Sequence, residues 1–391
     1  MCGILTQNLG VLIHILAVIL SWFNPFSWLK WTPTSMTKLA QVEYRILQSL
    51  KNVVDSKFVS LPGTSNRIWT ICANKTIKRT PLVLVHGMGG GVGLWAQNID
   101  ELATNRPLYA FDLLGFGRSS RPSFSKKPQI AEMEFVDSIE AWRKEMELEE
   151  FVLLGHSLGA YLAAAYAIRY PKRIKHLILV DAWGFAEKPV QSESDRRPPT
   201  WIRMVASIMK PFNPLAGLRA AGPWGPNLVK RFRPDLHEKF SDRFDDDTIF
   251  EYIYHCNAQH PSGETGFKSL THSFGWAKNP MIHRASDLDK EIPMTLIYGS
   301  KSWVNSETGY QIKHIRSDKY VDVQVVRGAG HHVYADKPEP FNTLVTKICN
   351  KVDGIDQMSL ASRRTQSVPN FRQSESKELK VPLQSPDPAQ L

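Results

Sequence analysis

Ser157 stands in Gly155-His-Ser-Leu-Gly159, between the apolar run Phe151-Val-Leu-Leu154 and the helix-forming run Tyr161-Leu-Ala-Ala-Ala-Tyr-Ala-Ile168. A sharp turn from strand to helix strains the serine backbone and lifts its hydroxyl above the sheet, as a nucleophile requires. Gly155 and Gly159 flank it because a Cβ at either place would collide with a neighbouring strand or helix. The helix N-terminus and the Leu158 N–H are then placed to stabilise an oxyanion. A hydroxyl at neutral pH attacks only when a base takes its proton. The candidate base is His331, in Gly328-Ala-Gly-His331-His332, ahead of His332 itself. The turn His86-Gly-Met-Gly89 precedes the elbow in the chain and supplies the second oxyanion donor, from the N–H of Met88 or Gly89.

The third member of the set stays open. Past the apolar run Met294–Tyr298 the chain reads Gly299-Ser-Lys-Ser302-Trp-Val-Asn305-Ser-Glu307, which puts Asn305 at the acid position. An amide holds an imidazole by accepting its N–H but does not stabilise the imidazolium. The same exchange in a serine protease triad costs about 10⁴ in kcat. Glu307 and Asp181 are the alternatives. A further pattern, His331-His-Val-Tyr-Ala-Asp336, has the His-x4-Asp spacing of acyltransferases, in which the histidine deprotonates an acceptor hydroxyl. The favoured reading of Asp336 is plainer, as the cap of a helix starting at Lys337-Pro-Glu339.

The elements that must position these groups alternate between strand and helix. An early hairpin spans Lys57–Ser60 and Arg67–Cys72 and turns at Pro62-Gly63. Buried strands follow at 81–85, 108–111, 151–156, 176–180, 294–298 and 321–326, with a helix over 131–147. Such alternation predicts a mostly parallel sheet with helices on both faces and functional groups at the C-terminal strand ends. Residues 185–285 break the rhythm with Pro, Arg and aromatic residues, and are expected to form a helical lid. The expected core is therefore 50–184 with 286–352.

The chain has 391 residues, a net charge of +10, 11 Trp and four cysteines, Cys2, Cys72, Cys256 and Cys349. No recognition motif accompanies the basic residues, so anionic lipid is a better counterpart than nucleic acid. The cysteine spacing suits free thiols rather than a metal site or a disulfide framework, and no cofactor is called for. Residues 9–23 are apolar but short for a membrane span, and no basic residue precedes them as in a secretory signal. Trp22, Trp28 and Trp31 then cluster around Pro25, so residues 1–34 are expected to anchor in one leaflet or a droplet monolayer. Residues 353–391 shift to Ser, Pro, Gln and charge, the composition of a disordered tail. Within it, Ser367 follows Arg363-Arg-Thr-Gln and is a candidate phosphosite for a 14-3-3-type reader.

Several longer blocks carry a family resemblance. They include Pro33-Thr-Ser35, Ala182-Trp-Gly-Phe185, Phe212-Asn-Pro-Leu-Ala-Gly-Leu-Arg219, Glu251-Tyr-Ile-Tyr-His-Cys-Asn257, Pro261-Ser-Gly-Glu-Thr265 and His332-Val-Tyr-Ala-Asp336. On these the chain resembles the α/β-hydrolase subfamily of the N-acylphosphatidylethanolamine lipase and the lipid-droplet coactivator of adipose triglyceride lipase. The resemblance implies an α/β-hydrolase fold with a helical lid. It also implies a cytoplasmic protein, peripheral on lipid droplets or the endoplasmic reticulum, that acts on glycerophospholipids. The substrates implied are N-acylphosphatidylethanolamine or lysophospholipid acyl esters, with acyl transfer to lysophosphatidic acid as an extension. The alternative reading is a non-catalytic adaptor for a triglyceride lipase and a perilipin-type coat protein. The coactivator branch carries Asn at the elbow where this chain keeps Ser157. Both branches carry Asp at the position of Asn305, while Gly330 and Lys301 resemble the coactivator.

Overall fold

The computed structural model describes residues 34–52, 54–188, 215–244, 246–272 and 275–355. Eight strands form one sheet: β1 (Val54–Ser60), β2 (Arg67–Ala73), β3 (Leu82–Val85), β4 (Leu108–Phe111), β5 (Phe151–His156), β6 (Ile174–Val180), β7 (Met294–Gly299) and β8 (Val321–Val326). Their order across the sheet is β1-β2-β4-β3-β5-β6-β7-β8. The β1–β2 and β2–β4 pairs are antiparallel and every other pair is parallel. The hairpin turns where Pro62-Gly63 stands, with Gly63 at φ +73°.

The central strands read as unbroken apolar runs because both faces of the sheet are covered. Val83, Val85 and Leu153 point into one core layer, and their neighbours Leu82, Leu84, Val152 and Leu154 into the other. On the first face lie α2 (Pro128–Glu145) and α3 (Leu158–Arg169), with Phe135, Ile139, Trp142, Leu162 and Tyr166 buried. The second face takes α1 (Met36–Gln48), with Leu39 and Ile46, and the C-terminal helix Pro338–Val352, with Phe341 and Val345. Pro128 at the first turn sets where α2 begins, three residues ahead of the sequence reading.

The insertion between β6 and β7 is mostly helical over its described residues, with one short antiparallel pair, Thr271–His272 against Trp276–Ala277. Its helix α4 (Thr248–Asn257) buries Tyr252 and Cys256 in the same layer as α1. Next to it, α5 (Ser262–Leu270) places Phe267 in the other layer. The Tyr252 hydroxyl accepts from the N–H of Gly93 at 2.9 Å, so α4 is tied to the loop that follows β3. Cys72, Cys256 and Cys349 are buried free thiols.

Candidate active site

β5 ends at His156 and α3 begins at Leu158, which leaves Ser157 to make the whole turn. It does so at φ +54°, ψ −115°, a conformation rare for a residue with a side chain. Two close approaches require glycine on either side. A Cβ on Gly155 would lie 2.3 Å from the Gly159 carbonyl oxygen, and one on Gly159 would lie 2.5 Å from the Val85 and His86 carbonyl oxygens. The turn is pinned by the Ser157 N–H, which donates to the Val180 carbonyl at 3.0 Å.

His331 follows β8, and its Nε2 stands 3.0 Å from Ser157 Oγ. Its other ring nitrogen, Nδ1, is 2.5 Å from Asp181 Oδ2. Asp181 is fully buried at the end of β6, at φ +45°. Its oxygens have further donors: the Gly299 N–H at 3.2 Å on Oδ1 and the Ser302 hydroxyl on Oδ2. A carboxylate removed from water needs such partners. Sequence reasoning named Asp181 only as a substitute and gave Ser302 no role.

The acid position read at Asn305 is corrected by this geometry. Asn305 is exposed, and its Oδ1 accepts the Glu307 N–H at 2.9 Å in an Asx turn. Glu307 is exposed on the same loop, and the two ring nitrogens of His331 are taken by Asp181 and Ser157 instead. Asp336 departs from both of its readings. Its Oδ2 accepts the Gly330 N–H at 2.8 Å and its Oδ1 pairs with Lys239 Nζ at 2.8 Å. The cap of the C-terminal helix is Lys337, with no side-chain hydrogen bond. Asp336 therefore steadies the loop that carries His331 and does not meet the imidazole.

The His86-Gly-Met-Gly turn packs directly on the elbow, since a Cβ on Gly87 would lie 3.0 Å from Ser157 Cβ. Among the described residues, the N–H groups of Met88 and Leu158 donate to no protein acceptor and are free to meet an oxyanion. Three side chains fix the turn. His86 Nε2 accepts from the Leu113 N–H at 3.0 Å, so its Nδ1 carries the proton and donates to the Gly87 carbonyl at 2.7 Å. Asn257, from α4, donates to the Gly89 carbonyl at 2.7 Å, where Gly89 has φ +71°. Asp112 takes the N–H groups of Val92 at 2.8 Å and Arg118 at 2.7 Å.

Burial disfavours charge on three neighbouring groups. Burial, with His331 beside it, holds His156 well below the usual histidine range. Its Nε2 donates to the His331 carbonyl at 2.9 Å and so holds the His331 backbone from behind. Burial lowers His86 in the same sense. Behind the His86-Gly-Met-Gly turn, Glu43 of α1 accepts from Trp69 Nε1 at 2.7 Å and Arg118 Nη1 at 2.9 Å. Burial, reinforced by Asp112, pushes its carboxyl up to about 8. Trp22, Trp28, Trp31 and Ser367 lie outside the described residues.

A family model for the alpha/beta hydrolase fold matches residues 80–338. The human (Lyso)-N-acylphosphatidylethanolamine lipase is 56% identical over 321 residues, covering 82% of this chain and 94% of that one. The human 1-acylglycerol-3-phosphate O-acyltransferase ABHD5 is 50% identical over 321 residues, covering 82% and 92%. Among solved structures, a bacterial membrane phospholipase A, a virulence factor, aligns at TM-score 0.56 and 18% identity, covering 89% of this chain and 99% of that one. The naproxen esterase of Bacillus subtilis aligns at 0.55 and 16%, covering 80% and 97%. At such identities these two structures speak for the fold alone.

Proposed function

Because the chain belongs to the α/β-hydrolase family, we propose that it is a serine hydrolase of glycerophospholipid acyl esters, including N-acylated phosphatidylethanolamine and its lyso form. The observation that carries this reading is the continuous relay from Ser157 Oγ through His331 to Asp181. Ser157 Oγ attacks the ester carbonyl carbon while His331 Nε2 takes its proton. The tetrahedral oxyanion faces the Leu158 and Met88 N–H groups. The C–O bond to the glycerol then breaks, and the leaving oxygen takes the proton back from Nε2. Water, deprotonated by His331, attacks the acyl-enzyme, releases the fatty acid and restores Ser157. Asp181 accepts the Nδ1–H and offsets the charge that the imidazolium acquires.

With a lysophosphatidate hydroxyl in place of water, the same steps become acyl transfer. Asp336 is bonded to Gly330 and Lys239 rather than to the imidazole, which favours one site for both outcomes. A purely adaptor role beside a triglyceride lipase and its perilipin-type coat has no use for a strained serine aligned on an imidazole. The working surface of this reading is the lipid droplet or endoplasmic reticulum membrane. Trp22, Trp28 and Trp31 and the net charge of +10 support it. Among the described residues no helix is long and apolar enough to cross a membrane.

The test is hydrolysis of N-acylphosphatidylethanolamine and lysophospholipid vesicles by the purified full chain. Fatty acid release should fall to background in Ser157→Ala. Turnover that survives this substitution would refute the assignment.

A further inference from the structure

The loop after β7 carries two polar side chains with different fates. Ser302 turns inward to Asp181, whereas Asn305 lines a cavity of about 250 Å³. The cavity is walled by Trp183, Phe185, Trp276, Trp303 and Val304. It begins where the relay ends, because Ala182 on its wall follows Asp181 in the chain. It also shares Trp303 with the base, the indole ring lying 5.0 Å from the His331 ring. Two of the walls are fixed. Trp183 donates through Nε1 to the Gly275 carbonyl at 3.0 Å and packs on Phe267 with ring centroids 4.7 Å apart, and Phe185 is buried. Aromatic and aliphatic walls with few polar groups suit an alkyl chain. A second cavity beside the His331 loop, lined by Lys239, Asp336 and Asp235, is polar and does not.

Asn305 has one free polar atom at this cavity. Its Oδ1 is engaged by the Glu307 N–H, a contact that an aspartate would make equally well. The amide therefore changes only the other atom. Nδ2 is a neutral donor with no partner among the described residues, where aspartate would set a charged oxygen at the rim of an apolar cavity.

We propose that this cavity receives the acyl chain of the substrate and that Asn305 is a specificity-determining residue which keeps its rim neutral. The proposal rests on the serine hydrolase reading and names where that reaction holds its acyl group. It also gives the residue at the expected acid position its own task.

The cavity can be probed without turnover. In the Ser157→Ala full chain, the methyl ester of an ω-bromo medium-chain fatty acid should quench part of the tryptophan fluorescence saturably, because bromine quenches indoles it touches. Val304→Trp, which fills the cavity, should weaken that binding at least tenfold, and Asn305→Asp several-fold. In the active enzyme, the ratio of kcat/KM for p-nitrophenyl octanoate over acetate should fall at least tenfold in Val304→Trp. It should shift toward longer chains in Trp276→Ala, an opposite change that general damage to the fold does not produce. Quenching that is absent, that is unchanged by Val304→Trp, or that glycerophosphoethanolamine displaces would overturn the proposal. Loss of the Ser157 reading would show differently, as persistent quenching in a wild type whose serine fails to react with a fluorophosphonate.

Discussion

His331 and Asp181 are separated by 150 positions in the chain, yet the imidazole Nδ1 stands 2.5 Å from the carboxylate Oδ2. β6 and β7 lie side by side, and the end of β6 delivers Asp181 under the loop that follows β7. The carboxylate so placed leaves no task in the relay for Asn305, one loop position further out. Moving the acid to the neighbouring strand end keeps the chemistry, because the imidazole needs an acceptor at Nδ1 and not a particular point of attachment.

The elbow glycines give a sharp stability expectation. Gly159→Ala would drive a methyl group to 2.5 Å from two carbonyl oxygens of the β3 end, neither of which belongs to a flexible side chain. The variant should lose about 3 kcal/mol or more, beyond the usual range for one substitution. Chemical denaturation monitored by circular dichroism checks this. A midpoint unchanged from wild type would contradict the packing described.

Asn257 holds the Gly89 carbonyl and, through it, the turn that presents the Met88 N–H. Asn257→Leu should lower kcat about tenfold, or about 1.4 kcal/mol in the barrier, with little change in KM. Removing an oxyanion donor outright costs about 10²–10³, so a positioning residue should cost less. Steady-state kinetics on a soluble ester separate the two terms, and a change confined to KM would argue for substrate contact instead.

Glu43 links α1 to the same turn and should make stability depend on pH. Its carboxyl is raised from an ordinary value of 4.5 to about 8 by burial, so the fold favours the protonated form. That contribution is complete below the ordinary value and is lost as pH rises toward about 8. Glu43→Gln, which keeps an acceptor for Trp69 and Arg118, should therefore gain on the wild type as the pH rises. The expected gap in Tm is a few degrees at about pH 8.5, at about 2–4 °C for each kcal/mol, and near zero at about pH 5. Thermal unfolding at the two pH values checks the sign, and a gap that widens on acidification would contradict it.

The legible parts of this protein are those written in short range. The elbow could be read because strand, two glycines and helix are contiguous, and each glycine answers a contact that the fold does make. The early hairpin was legible for the same reason, with its turn at Pro62-Gly63. What stayed open depends on which strand ends become neighbours. The sequence offers three acceptors for His331, and only the pairing of β6 with β7 selects Asp181. Asp336 shows the opposite error. A residue before Lys-Pro-Glu reads locally as a helix cap, but Gly330 and Lys239 compete for its oxygens and win. The Asn257 and Glu43 contacts had no local signal, because their partners lie 168 and 26 or more positions away.

The central claim is that Ser157 is activated by His331 with Asp181, and not Asn305, behind it. The most direct measurement is the rate at which a fluorophosphonate labels the purified full chain and its variants. Wild type should label, Ser157→Ala should not, and Asp181→Asn should slow by about 10³–10⁴-fold, as loss of the acid does in serine proteases. The double variant Asp181→Asn/Asn305→Asp should remain as slow as Asp181→Asn alone. Labelling of Asp181→Asn at the wild-type rate, or recovery in the double variant, would contradict the account and return the acid to the loop after β7.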